Sequence, residues 1–187
     1  MIKFFTALTL SFLFLMNSLH SEIVKSIQIN GNKRVSAETV KIYGNININQ
    51  DYSESDLNKI LTNLYSTNFF KNITIDLSNN ILKINLEEFP IINKIIVIGE
   101  SKNKLVDEIK KLMRSKQKGS YIQSNIAKDV DTIKNIYASL GYNFSTIDTK
   151  IKKIDESKVE LIFDINKGQI TKISKIKFIG DKKIREK

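Results

Sequence analysis

No cysteine occurs anywhere in the 187 residues, and the single histidine is His20. The first absence excludes disulfide staples and thiol nucleophiles, so each small unit must stand on its own core. The second leaves everything after position 20 without an imidazole, which removes Cys/His metal sites and Ser-His-Asp triads together. Carboxylate-only chemistry survives in principle. Its candidates are Asp107 with Glu108 and Asp129 with Asp131, and their places on amphipathic helices read as solvated faces. No cofactor is expected. The chain reads as a binding scaffold rather than an enzyme.

Long apolar runs are scarce as well, the exception being Phe4 to Met16 behind the basic Lys3. A run of that length fits a secretory signal and is short for a membrane span. Cleavage near Ser21 is expected, giving a signal peptide over 1–21, with an uncleaved N-terminal anchor as the alternative. No cysteine follows, so a lipid-anchored lipoprotein is excluded. Either way the remainder is exported. The formal net charge is +10. Lys and Arg are spread along the chain among apolar residues, which fits either a compositional bias or weak attraction to anionic surfaces.

What is present is a pattern written twice and begun again. An apolar strand runs into glycine at Ile27–Gly31, at Ile95–Gly99 and at Ile176–Gly180, with the glycines 68 and 81 residues apart. That spacing is too long for a solenoid and suits a string of small domains. The third run stops seven residues after its glycine, so the chain reads as the front of something longer.

Within the first copy, Val24 to Ile29 alternates as a strand. Ser36 caps a short helix with Glu38 in its first turn and Val40 and Tyr43 facing inward. After the loop Gly44 to Tyr52, Ser53 and Asp56 form a capping-box start. Leu57, Ile60, Leu61, Leu64 and Tyr65 then fall at helical spacing, and Asn68 ends the helix as a substitute for left-handed glycine. Ile73, Ile75 and Leu77 alternate in one strand and Leu82, Ile84 and Leu86 in the next, with Asn79-Asn80 as the hairpin turn. The single proline, Pro90, marks the boundary.

The second copy repeats the plan: strand Ile95–Ile98, a helix with Leu105, Ile109, Leu112 and Met113, and a second helix with Ile126, Val130, Ile133 and Tyr137. A hairpin of Ser145–Ile151 and Val159–Ile165 closes it. Asn68 in one copy matches Gly141 in the other. The expected class is α+β, with tandem β-α-α-β-β units over 22–90 and 91–168 and the start of a third over 169–187. Each unit is a three-stranded mixed sheet covered on one face by two antiparallel helices, its other face left to alternating polar residues.

Gly31-Asn32-Lys33-Arg34, Leu64-Tyr65-Ser66-Thr67-Asn68-Phe69-Phe70, Tyr137-Ala138-Ser139-Leu140-Gly141-Tyr142 and the Glu88-Phe89-Pro90 junction, taken in order, resemble POTRA domains. The whole exported part is similar to the N-terminal region of the outer-membrane protein assembly factor (BamA) family. Two departures stand out: Asn68 replaces the family's usual glycine, and this chain carries no C-terminal membrane barrel. The resemblance implies a scaffold on the periplasmic face of the outer membrane of a Gram-negative-type bacterium. Its implied partners are unfolded outer-membrane protein chains, accessory assembly lipoproteins, and the outer membrane itself through the barrel.

If the second strand of each unit is an edge, its backbone can pair with an incoming extended segment. The candidate residues are Lys71, Asn72, Ile73, Thr74, Ile75, Asp76 and Leu77, and Ser145, Thr146, Ile147, Asp148, Thr149, Lys150 and Ile151. Lys71, Lys150 and Lys152 serve equally as protection against edge aggregation, and both readings stay open here. A TamA-type or two-partner secretion transporter would keep the fold and change the client. Nucleic acid is not an expected partner, since the strands present Lys, Asn, Asp and Thr rather than stacking aromatics.

Overall fold

The computed structural model describes residues 22–177. The apolar segment proposed as a signal, 1–21, and the last ten residues of the third strand-Gly run lie outside the described residues. Two compact units divide between Phe89 and Pro90.

The first unit runs β1 (Glu22–Ile23), β2 (Ser26–Asn30), α1 (Ala37–Gly44), β3 (Asp51–Tyr52), α2 (Glu54–Ser66), β4 (Phe70–Ser78) and β5 (Ile81–Glu88). The second runs β6 (Ile91–Ile98), α3 (Asn103–Leu112), α4 (Gln123–Ser139), β7 (Thr146–Lys153) and β8 (Lys158–Asn166). The sheets have order β2-β5-β4 and β6-β8-β7. In each, the first strand is parallel to the last and the second is antiparallel to it. This is the α+β, β-α-α-β-β plan of the sequence. One strand differs: Val24 to Ile29 is interrupted, because the buried Val24 turns aside to bond the loop before α2.

The repeated strand-glycine has a plain steric cause. At Gly31 (φ +81°) an added Cβ would stand 2.1 Å from the carbonyl oxygen of Leu86, and at Gly99 (φ +83°) 1.9 Å from that of Ile165. The last strand of each unit passes directly against the turn that leaves the first. No side chain fits there.

Local signals end and start the other elements. Ser53 and Asp56 form a reciprocal capping box at the head of α2. The Asp56 carboxyl is held down at about 2, first by the Ser53 hydroxyl and then by Lys59. Asn68 takes φ 58° where Gly141 takes 91°, so both copies stop their second helix with a left-handed residue. Asn79 and Asn80 both have positive φ, 52° and 62°, as a two-residue type I′ hairpin turn requires.

Each unit has its own core. In the first, Val24, Val40, Leu64, Leu82 and Ile84 are fully buried; in the second, Ile92, Ile109, Ile133, Tyr137, Leu161 and Phe163 are. Two expectations are corrected, and one apolar helix position falls outside the core. Tyr43 does not face inward but is half-exposed, its ring edge on Phe69 at 5.9 Å. Leu112 is exposed, because the chain leaves the helix there and it is Met113 that enters the core. The outer sheet face of the second unit is not uniformly polar: Ile96 sits opposite Ile162, which sits opposite Lys150, and Ile98 is beside them. The neighbouring isoleucines and the lysine stem shield one another across the strands.

Candidate functional site

A three-stranded sheet has two outer edges, and in both units one of them is partly closed by the chain itself. The loop before the second helix folds onto the leading end of the first strand. In the first unit Val24 N–H donates to Gln50 O at 2.9 Å and Asn49 N–H to Val24 O at 2.7 Å, beside the β1–β3 pair. In the second, Ile92 N–H donates to Gly119 O at 2.9 Å, Lys118 N–H to Ile92 O at 2.7 Å and Tyr121 N–H to Pro90 O at 2.7 Å. Among the described residues, the second strands, β4 and β7, have no strand on their outer side. These are the strands that carry the residues proposed from the sequence.

Antiparallel pairing alternates, so only every second residue turns its backbone groups outward. The two-residue turn makes Ser78 and Ile81 a hydrogen-bonded pair, which commits Asp76, Thr74 and Asn72 to β5 through their register with Lys83, Asn85 and Glu87. Ile73, Ile75 and Leu77 therefore face the open edge. In β7 the bond from Ile154 N–H to Lys158 O, 3.0 Å, fixes the phase. Thr146, Asp148, Lys150 and Lys152 are committed to β8, leaving Ile147, Thr149, Ile151 and Lys153 outward. Lys71 falls at a register shift, and Ser145 precedes the strand.

Lys71, Lys150 and Lys152 do not hang over the edge. Lys71 pairs with Glu87 at 2.7 Å, Lys150 with Asp164 at 3.3 Å and Lys152 with Glu160 at 3.6 Å, all lying across the sheet toward the middle strand. Such exposed pairs contribute about 0–1 kcal/mol each. The edge has one further occupant. The hydroxyl of Tyr65, on α2, accepts the outward N–H of Ile73 at 3.0 Å.

Three buried carboxylates organise the units. Asp129 is not on a solvated face: it is fully buried and accepts the N–H groups of Arg114 at 2.5 Å and Ser115 at 3.0 Å, holding the loop after α3. The signal was in the spacing, since Asp129 stands three residues after Ile126 and four before Ile133, on the stripe that enters the core. Glu88 accepts from the N–H groups of Lys33, Arg34 and Val35 at 2.9, 3.0 and 2.9 Å, with the Arg34 guanidinium at 3.4 Å. Glu100 accepts from Lys102 N–H at 2.9 Å, the Tyr137 hydroxyl at 2.8 Å and Lys167 Nζ at 3.4 Å.

The last two are one device with its charges exchanged. Gly31 faces Leu86 and Gly99 faces Ile165, so Glu88 and Lys167 occupy the same position, two residues on. In the first unit the acid is on the closing strand and the cation on the turn; in the second the acid is on the turn. Burial alone would raise Glu100, but these donors bring its carboxyl below the ordinary 4.5. The Tyr137 hydroxyl is pushed well above its ordinary value by burial and by Glu100. Carboxylates whose oxygens are taken by fixed donors position backbone. Among the described residues no three acids or histidines lie together as a metal site, and no helix is long and apolar enough to cross a membrane.

Residues 90–168 match the sequence model of the POTRA family, described as a surface antigen variable number repeat. The chain is 29% identical over 171 residues to the outer membrane protein assembly factor BamA of Neorickettsia risticii (strain Illinois), covering 90% of this chain and 23% of that one. To the outer membrane protein assembly factor BamA of Neisseria meningitidis serogroup B it is 26% identical over 161 residues, covering 84% and 20%. The chain thus spans only a fifth to a quarter of the length of these relatives. The N-terminal domain of Omp85 from the thermophilic cyanobacterium Thermosynechococcus elongatus superposes with a TM-score of 0.52 at 12% identity, over 80% of this chain and 64% of that one. At that identity the likeness concerns the fold.

Proposed function

With a tandem of POTRA-like units similar to the N-terminal part of outer-membrane protein assembly factors as the premise, we propose that this chain is a periplasmic scaffold for outer-membrane protein assembly. It receives unfolded β-barrel chains by adding them as strands to an open sheet edge. On this reading residues 1–21 are an export signal, 22–90 and 91–168 are the two binding units, and 169–187 open a third. Accessory lipoproteins dock on the same units, and a membrane barrel completes the machine. The role is one of holding chains rather than of catalysis.

The observation that carries the reading is the asymmetry of the edges. In both units the first strand is partly covered by its own loop, while β4 and β7 turn ladder positions to solvent. Backbone pairing gives affinity without strong sequence preference, which suits a protein that must accept many extended clients.

Proline at Ile75 and at Ile147 tests this. Both N–H groups point outward, so neither substitution breaks a bond inside the sheet, and edge strands tolerate proline. The folded double variant, checked by circular dichroism, is expected to lose binding of a urea-denatured outer-membrane β-barrel chain in a fluorescence anisotropy titration. Unchanged affinity in a folded variant overturns strand addition.

A further inference from the structure

The two edges are not equivalent. In the first unit Tyr65 occupies the outward N–H of Ile73. The side chains of Ile75 and Leu77, on the helix face of β4, pack against the core, as do Leu57 and Leu61, which lie two turns and one turn before Tyr65 on α2. Helix and edge strand are zipped together there.

In the second unit the same flank is thinned at two of its three positions, while Val130 still packs against the core. Tyr65 follows the buried Leu64 as Ala138 follows the buried Tyr137. One turn earlier Lys134 replaces Leu61, and two turns earlier Val130 replaces Leu57. On β7, Thr149 stands where Ile75 stands, judged by register with the middle strand, and Ile151 stands where Leu77 does. Ile151 is 47% exposed although its side chain is on the helix side of the sheet. Among the described residues the side-chain hydrogen bonds of α4 go to Arg114, Ser115, Tyr121, Glu100 and the helix's own carbonyls, not to the outward N–H of Ile147, Thr149 or Ile151.

We propose that β7, and not β4, is the edge that accepts a client strand, and that the segment it takes carries acidic side chains among its groove-facing alternate positions. This rests on the strand-addition reading above and narrows it to one site. The charge preference comes from two cations carried by the two elements that flank the open edge, the one on the helix and the other on the strand that holds the exposed Ile151. Lys134 stands on the α4 flank and Lys153 on the helix side of β7, and neither belongs to an ion pair among the described residues, unlike Lys150 and Lys152. An extended chain laid along β7 projects every second side chain into the gap between them. An alternation of apolar and acidic residues there covers Ile151 and meets both lysines.

The test uses the 15N-labelled whole chain and a blocked ten-residue peptide in which threonine alternates with valine or glutamate. Amide shifts are expected at Ile147, Thr149 and Ile151, with Ile75 and Leu77 unmoved. The exposed Ala138→Tyr restores the block and should weaken the peptide about tenfold, the size of losing one or two backbone bonds. Tyr65→Ala should bring new shifts at Ile73. A twin peptide with lysine for glutamate should bind distinctly more weakly. Shifts confined to β4, full binding by a folded Ala138→Tyr chain, or equal binding of the lysine peptide overturns this assignment while leaving strand addition standing. Shifts at neither edge overturn both.

Discussion

Asp129→Ala removes the acceptor from two backbone N–H groups that have no other partner among the described residues. Ser115 is buried and Arg114 is exposed, so one donor is stranded in full and the other is partly rescued by water. A stranded donor costs about 1–3 kcal/mol. Alanine recovers about 0.5 kcal/mol of helix propensity over aspartate. The expected loss is therefore about 2–3 kcal/mol, which in a unit of this size lowers its Tm by roughly 10–20 °C. Asp129→Asn conserves volume but turns one acceptor into a donor facing a donor, so it should cost nearly as much. The readout is hydrogen exchange of the whole chain across a urea series, in which peptides from residues 90–168 should lose protection earlier while those from 22–89 do not. If both variants stay within about 0.5 kcal/mol of the parent, Asp129 is an ordinary surface acid and the account of the loop after α3 is wrong.

Gly99→Ala should be far more damaging than a helix-surface Gly→Ala change, because the Ile165 carbonyl must move out of the Cβ position; failure to fold the second unit, or a loss above about 3 kcal/mol, is expected by thermal denaturation. Glu88→Ala frees the three N–H groups of the turn at Lys33 to Val35 and should speed their amide exchange first, ahead of any global unfolding. Glu100 predicts a pH effect. Its folded carboxyl lies below the ordinary 4.5, so its stabilising contribution is complete above that value and is lost as pH falls through the lower folded one. Acid unfolding of the second unit below pH 4.5 should therefore be shallower in Glu100→Gln, measured by the slope of stability against pH.

Most of the fold was legible because its signals are local. Asn79-Asn80, Ser53 with Asp56, and the Asn68 and Gly141 stops each act within a few residues, and the two copies check one another. The strand directions followed from the helix pair that returns the chain between the first two strands, whereas the order of the strands in each sheet is read from the structure. What escaped was decided by contacts distant in sequence. Periodicity places Tyr65 on the apolar stripe but cannot say that its hydroxyl reaches the Ile73 N–H. Nor can it say that the acid of Glu88 and the cation of Lys167 stand at one site with opposite sign. Asp129 was misjudged because its charge was given more weight than its position between Ile126 and Ile133. Tyr43 was placed inside because helix period alone cannot tell where the neighbouring wall ends. β4 and β7 overlap the segments offered as candidate strands, and only the register separates the residues whose backbone is free from those already spent on the sheet.

Because the chain has no cysteine, a single introduced thiol reports one position without interference, and this gives the most direct test of strand addition. Thr149→Cys places the thiol on the helix side of β7, and Lys150→Cys places it on the opposite face. An unfolded outer-membrane β-barrel chain bearing one cysteine, stepped residue by residue along a strand, is then offered to each. The account predicts disulfides at alternate client positions, with the two variants trapping complementary sets. A flat profile, or equal trapping by a thiol at the exposed helix position Lys128, would contradict it.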